Sequence, residues 1–115
     1  MELAQKPAVD QSLIAKVSKM DHLIEYQDAS IVSRTIVKKP TGTVTIFAFD
    51  KDEFLSEHTA PSDAIANILD GSAEISIGGV SHQLTQGEMI IMPANIAHAV
   101  KAVDKMKMVL IMIKD

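Results

Sequence analysis

Four histidines are the side chains of this sequence that are best suited to chemistry. They are His22, His58, His82 and His98, and the chain contains no cysteine. A neutral imidazole can bind a divalent metal ion, transfer a proton or hydrogen-bond to an organic ligand. Without cysteine there is no thiol nucleophile, no disulfide and no cysteine-based zinc or iron–sulfur site. The chemistry therefore depends on which imidazoles the fold brings together.

Two segments around His58 and His98 follow a known pattern. Residues 55–71 read LSEHTAPSDAIANILDG, and residues 87–98 read GEMIIMPANIAH. Together they resemble the two motifs of the cupin superfamily, G-x5-H-x-H-x3,4-E-x6-G and G-x5-P-x-G-x2-H-x3-N. The resemblance extends over residues 52–102 and is to small, single-domain, RmlC-like cupins of the cupin 2 type. It implies an all-β, single-domain barrel, the double-stranded β-helix or jelly roll.

The resemblance also implies a metal site, of which this sequence keeps one half. Cupins that hold Fe, Mn, Ni, Cu or Zn use three histidines and one glutamate, a donor set that suits such divalent ions. His58 and His98 match two histidine positions, whereas Ala60 stands at the remaining histidine position and Ala64 at the glutamate position. An alanine methyl group has no lone pair to donate. The expected metal site is therefore degenerate.

Other side chains could complete such a site. His82 shares the apolar face of its predicted strand, so it is the best candidate for a third metal ligand. Glu57 and Asp63 each neighbour a motif position, but adjacent residues in a strand point to opposite faces, so we expect both to point away from the site. The role of His22, which lies between charged and apolar residues near the N-terminus, stays open, as does that of His82.

Three interpretations of His58 and His98 remain open at this stage. The pair could be a remnant inside the barrel, could hydrogen-bond to an organic ligand, or could bind a metal with water in the open positions. We expect Met92, Ala60 and Ala64 to line the same pocket. The main hypothesis is a stand-alone cupin that binds a small molecule there. The alternative is a metal-dependent enzyme, isomerase or dioxygenase-like, that holds Zn, Ni, Mn or Fe through His58 and His98; the sequence identifies neither a ligand nor a reaction.

Short runs rich in Ile, Val and Thr predict the strands that position these residues. The turns at Asp70-Gly71, Gly78-Gly79 and Gln86-Gly87 supply glycines that reach positive φ, so residues 65–92 are predicted to form a meander. Asn95 replaces a motif glycine, and asparagine tolerates left-handed backbone geometry, so its turn should stay intact. The predicted strands are residues 23–26, 30–37, 43–50, 54–58, 65–69, 73–77, 81–85, 89–92, 97–102 and 106–114.

The chain divides into a lead segment and one barrel. We expect residues 1–28 to form an N-terminal lead that packs on the barrel, and residues 29–115 to form the cupin barrel. Residues 1–8 look polar and frayed, and Asp10 could cap a turn that carries Leu13, Ile14 and Val17. At 115 residues the chain is of single-domain size.

Composition and charge argue against nucleic acid and membrane as binding partners. Eleven basic against fifteen acidic residues give a net charge of −4, with no large basic cluster, so a nucleic-acid partner is not expected. No window of about 18 uncharged apolar residues indicates a membrane span, and no signal run precedes Asp10, so we expect a cytoplasmic protein.

The last predicted strand indicates a second subunit. Residues 108–113 are apolar on both faces of the strand. One face would meet the barrel interior, and the other needs a cover of its own. We therefore expect a homodimer.

Overall fold

Nine β-strands form the part of the chain that this computed structural model describes, residues 8–114. Two short 3-10 turns, Gln11–Leu13 and Met20–His22, precede them, and within these residues no helix is long and apolar enough to cross a membrane. Each strand matches a predicted one to within two residues at either end. The strands are β1 (Ile31–Lys39), β2 (Gly42–Phe49), β3 (Phe54–His58), β4 (Asp63–Asp70), β5 (Ser72–Ile77), β6 (Val80–Thr85), β7 (Met89–Met92), β8 (His98–Ala102) and β9 (Met106–Ile113).

The strands form two antiparallel sheets around one main core. Sheet A has the order β1-β2-β9-β4-β7, and sheet B has the order β3-β8-β5-β6. Alternate residues of each strand point between the sheets, as Ala64, Ala66 and Ile68 do on β4 and Ala73 and Ile75 do on β5. The predicted all-β jelly-roll fold is confirmed.

The predicted meander over residues 65–92 is wrong. β4 belongs to sheet A, β5 and β6 pair with each other in sheet B, and β7 returns to pair with β4. Gly71 forms the corner between the sheets: its φ is +76°, and a Cβ there would overlap the backbone carbonyl of Lys105. A glycine turn indicates that the chain reverses, but it does not specify which sheet the next strand joins.

The predicted strand at residues 23–26 is also wrong. This stretch is irregular, and Ile24 is buried against Ile46 and Ala48 on the outer face of sheet A. A short apolar run predicts burial without fixing whether the backbone pairs with a neighbour. Within the expected lead, Leu23, Ile24 and Tyr26 pack on sheet A in this way, and the stretch 1–7 lies outside the described residues.

Asp10 connects the lead to the edge of sheet A. Its carboxylate caps the first 3-10 turn by accepting from the Ser12 backbone N–H at 3.1 Å, so the predicted cap is present on a single 3-10 turn. Arg34 of β1 forms an ion pair with the same carboxylate at 2.9 Å. Hydrogen bonds from Ser12 and Arg34 hold the pKa of Asp10 below its usual range.

Candidate functional site

His58 and His98 face each other across neighbouring strands. They are paired residues of β3 and β8, and their ring centroids lie 4.5 Å apart with the planes at 68°, an edge-to-face arrangement. The two residues are far apart in the sequence, so the antiparallel pairing of sheet B creates this contact. The structure thus brings together the two histidines that match the cupin motifs.

A β-bulge in β3 decides which residue joins His98. Leu55 pairs with Val100, and both point into the barrel, so an unbroken ladder would pair Glu57 with His98. The pairing register instead shifts between Leu55 and His58. One extra residue on a strand re-aims the side chains that follow it. His58 therefore takes the position opposite His98, and Glu57 lines a groove on the outer surface.

Both imidazoles are held in the same tautomer. The Nδ1 atom of His58 lies 2.8 Å from the Ser56 carbonyl oxygen, and that of His98 lies 3.1 Å from the Ile96 carbonyl oxygen. A carbonyl oxygen can only accept, so each Nδ1 carries the hydrogen and donates it. In the neutral rings both Nε2 atoms keep a lone pair. His98 is only 6% exposed, whereas His58 is exposed. One ring of the pair is therefore accessible at the surface, and the other is buried.

Ala64 and Met92 belong to one inward-facing row of sheet A. Ala64 is buried, and it pairs with Met92 on one side and Met112 on the other. The row continues through Thr43 to Lys38 at the edge of the sheet. An aliphatic and thioether wall thus occupies the position at which the cupin pattern has its glutamate.

Ala60 lies in the loop between β3 and β4, which is tied to the loop before β8. The Ala60 carbonyl accepts a hydrogen bond from the Asn95 backbone N–H at 2.7 Å. Asp63 adds a second tie by accepting from the Ala94 N–H at 2.8 Å. Asn95 has a φ of +65°, which confirms the predicted left-handed turn. These bonds fix the loop that carries Ala60 beside the motif that carries His98.

The donor set of the described residues does not fit the metal of the metal-binding cupins. His82 points inward, opposite Ile75, but β5 separates its strand from β8. His22 lies in the lead, 3.9 Å from the Asp21 carboxylate. Over residues 8–114 no three histidine or carboxylate side chains come together as a metal cluster. Two imidazoles are fewer protein ligands than even an open catalytic zinc site uses.

A cavity of about 340 Å³ opens at the end of the barrel that carries the β3–β4 loop. Ser62 lines it and is only 4% exposed, and within the described residues no hydrogen-bond partner contacts its hydroxyl group. Thr43 and Met112 of the inward-facing row also line it. Three lysines are among the residues that line it, Lys38, Lys39 and Lys114.

Sequence reasoning missed this cavity. Lys38 and Lys39 are a visible pair of basic residues before a Pro-Thr-Gly turn, but only the folded chain brings Lys114 and Ser62 beside them. A larger cavity of about 450 Å³ lies on the outer face of sheet B and includes Phe54, Glu74 and Lys101. Neither cavity is lined by the histidine pair. The smaller cavity is lined in part by Pro61 and Ser62, in the loop that follows His58.

Comparison with known proteins identifies the family. The family model of the cupin domain matches residues 45–114, which include both histidines and the strands from β3 to β9. The chain belongs to the cupin family. A comparison of this cupin with curated proteins gives no match.

Solved cupin structures resemble this cupin over most of its length. A conserved protein of unknown function from Streptococcus pyogenes is 31% identical, with a TM-score of 0.90 over 97% of this chain and 98% of its own. A cupin 2 conserved barrel domain protein from Leptotrichia buccalis is 40% identical, with a TM-score of 0.80 over 82% of this chain and 46% of its own. A cupin superfamily protein from Desulfitobacterium hafniense shares the fold, with 23% identity and a TM-score of 0.85 over 97% of this chain and 100% of its own.

Proposed function

We propose that this cupin binds a small hydroxylated organic acid, and that His58 and His98 hold its hydroxyl groups. The observation that carries the proposal is the pair of imidazoles at 4.5 Å whose Nδ1 atoms are both engaged with carbonyl oxygens. Each neutral ring then offers Nε2 as an acceptor, and hydroxyl groups are suitable donors. A net contribution of about 1 kcal/mol from each such hydrogen bond is expected.

The lysine-rich cavity supports an acidic group on the ligand. Lys38, Lys39 and Lys114 line this cavity together with the buried residue Ser62. Ammonium and hydroxyl groups both donate hydrogen bonds, and a carboxylate accepts them. Because the lysines are exposed, each ion pair should add at most about 1 kcal/mol. The ligand should therefore bind through several weak polar contacts and not through one strong one.

The volume of the cavity and the apolar residues beside it support a small ligand. The cavity of about 340 Å³ lies near the lower end of the range typical of ligand pockets, roughly 300 to 1,000 Å³. Met112 lines the cavity, and Ala64 and Met92 continue the same row beside it. Methionine adapts its shape readily, so this wall suits the carbon skeleton of the ligand.

Three matched probes test the proposal by calorimetric titration. Glycerate carries hydroxyl groups and a carboxylate, glycerol carries only the hydroxyl groups, and propionate carries only the carboxylate. Glycerate should bind at least about tenfold more tightly than either of the others, which corresponds to about 1.4 kcal/mol. His58→Ala should remove this preference, whereas His22→Ala should keep it. Equal binding of all three probes, or no binding of millimolar glycerate, would contradict the proposal.

A metal-dependent enzyme, isomerase or dioxygenase-like, is the second candidate. It is favoured by the same two Nε2 atoms, which could act as two ligands to Zn, Ni, Mn or Fe. Further ligands would have to come from the substrate or from water, since the described residues hold no third ligand at the pair. Metal analysis of protein purified without a histidine tag and without chelator separates the two candidates. One metal ion per chain would favour the enzyme.

A further inference from the structure

The cavity of about 450 Å³ on the outer face of sheet B, called here the sheet B groove, lies apart from the histidine pair. All four strands of the sheet contribute residues to it. Neighbouring strands are spaced about 4.8 Å apart, so the groove crosses roughly 14 Å of the sheet. Its volume is within the range typical of ligand pockets. The groove is therefore large enough to hold a small molecule.

Small side chains form the floor of the sheet B groove. Ser76 of β5 pairs with Ala99 of β8 on one side and with Ser81 of β6 on the other. Ser76 and Ala99 are half-buried, and Ser81 is exposed. The neighbouring row on the same face carries long side chains, those of Phe54, Lys101 and Glu74. The difference in side-chain length between the two rows leaves a depression across the sheet.

The bulge in β3 adds two polar residues to one end of the groove. Ser56 and Glu57 both line it, although consecutive residues of a regular strand face opposite sides of a sheet. The register shift between Leu55 and His58 makes this arrangement possible. Both residues are exposed, so a hydroxyl group and a carboxylate are accessible there.

Phe54 presents an aromatic ring at the wall of the groove. The chain has three phenylalanines, and the other two belong to the main core: Phe49 is fully buried, and Phe47 packs against it. Phe54 is 61% exposed. An aromatic ring offers a large, rigid apolar surface, and little of this one is covered within the chain. The ring is therefore available to pack against an apolar part of a ligand.

The polar side chains of the groove carry both signs of charge. Lys101 pairs with Glu74 on the neighbouring strand, and Glu57 lies at the β3 end. Glu74 accepts a hydrogen bond from the Ser81 hydroxyl group, and within residues 8–114 neither Glu57 nor Lys101 forms an ion pair. A cationic ligand would meet the ammonium group, and an anionic ligand would meet two carboxylates. Neutral hydroxyl groups avoid both repulsions, because they donate to carboxylates and accept from ammonium.

We propose that the sheet B groove binds a neutral saccharide. The C–H face of a sugar ring is apolar and packs on Phe54, while the hydroxyl groups around the ring hydrogen-bond to Glu57, Glu74 and Lys101. The groove is open to water, so each polar contact is weak and the affinity should be millimolar. This site lies on the opposite face of sheet B from the main core, and it does not depend on the function proposed for the histidine pair.

A nuclear magnetic resonance titration of isotope-labelled protein tests the ligand class. The probes are glucose, galactose and mannose, each compared with its own uronate and its own 2-amino derivative. At least one neutral hexose should shift the amide signals of Phe54, Glu74 and Lys101. Both charged counterparts of that hexose should bind at least about threefold more weakly, because exposed like charges repel modestly. Tighter binding of a charged counterpart, or no shift with any neutral hexose at tens of millimolar, would overturn the proposal.

Phe54→Ala tests the role of the aromatic ring. It should weaken binding of the neutral hexose roughly fivefold, the range expected for one aromatic contact. The matched control is Val80→Ala, since Val80 is an equally exposed apolar residue of sheet B, at 59%, that does not line the groove. Both substitutions are at exposed sites, so both variants should fold. Unchanged affinity in Phe54→Ala, or an equal loss in both variants, would contradict the proposal. Phe54→Ala should keep the glycerate binding expected at the histidine pair, which separates the two sites.

Discussion

His58 meets His98 because β3 carries one extra residue between Leu55 and the histidine. The bulge turns His58 toward the barrel, where its ring packs edge-to-face on that of His98 at 4.5 Å. A regular strand would bring Glu57 to this position and place a carboxylate beside a buried imidazole. The bulge thus places a second imidazole beside His98, where regular pairing would place a carboxylate.

Restoring the two missing donors should create a metal site. In Ala60→His/Ala64→Glu the family set of three histidines and one glutamate is complete, so divalent metal affinity should rise well above that of the wild type. Calorimetric titration with Zn²⁺ or Ni²⁺ measures it. Ala64 is buried, so without metal the double variant should lose roughly 3 kcal/mol of stability or more.

The control for this variant is Ala60→His/Ala66→Glu. Ala66 is buried on the same face of β4, one inward position further along, so the cost of burying a carboxylate is similar. This variant should gain no comparable affinity. Equal affinity in both variants and the wild type would mean that the alanines do not occupy the ligand positions.

Gly71 should be the glycine least tolerant of substitution. Gly71→Ala combines positive φ with overlap between the new Cβ and the Lys105 carbonyl. The free energy of unfolding should fall by at least about 3 kcal/mol. Gly79→Ala is the control, since its φ is also positive but no atom lies within 4 Å of the added Cβ. It should lose only about 1 kcal/mol in urea denaturation. Similar losses in both variants would show that the corner has room to relax.

Tyr26 should make stability depend on pH in the alkaline range. Burial, and then the hydrogen bond that its hydroxyl group donates to Asp70 at 2.6 Å, raise the pKa of Tyr26 above its usual value of 10.0. A raised pKa means that the folded state favours the neutral phenol, so this stabilisation is complete below about pH 10 and declines as the pH rises further.

Tyr26→Phe measures this contribution. The variant should be less stable than the wild type by about 1 kcal/mol near neutral pH, the usual net value of one hydrogen bond. The difference should stay constant up to about pH 10 and shrink above it. Urea denaturation across this range checks the result, and a difference that grows with pH would contradict the assigned direction.

The sequence predicted the strands and the histidine pair better than it predicted the connections. Alternating residues and turn glycines are local signals, and the motif spacing relates β3 to β8. The corner at Gly71 depends on a contact with Lys105, more than thirty residues away, which no local pattern contains. The stretch 23–26 has the apolar residues of a strand, but they cover the outer face of sheet A without pairing with it. A local pattern does not distinguish these two arrangements.

The motifs single out His58 and His98, but they do not predict the geometry that brings the two rings together. The motif assigned His58 to the site and Glu57 away from it, although alternation counted from Leu55 would place Glu57 opposite His98; the observed bulge explains why His58 takes that position. The cavity at Ser62 combines residues from three separate parts of the chain, so the sequence shows its members without their proximity. Both histidines share one tautomer because each Nδ1 faces a backbone carbonyl oxygen, that of Ser56 or that of Ile96. Only the folded backbone defines where these oxygens lie.

The nitrogen chemical shifts of the two imidazoles test the central claim most directly. Four histidines give few signals, and His58→Ala and His98→Ala assign the relevant ones. In their neutral form both rings should show a protonated Nδ1 and an unprotonated Nε2. Glycerate should shift both Nε2 signals, while those of His22 stay in place. Protonated Nε2 atoms, or Nε2 signals that do not respond to glycerate, would contradict the account.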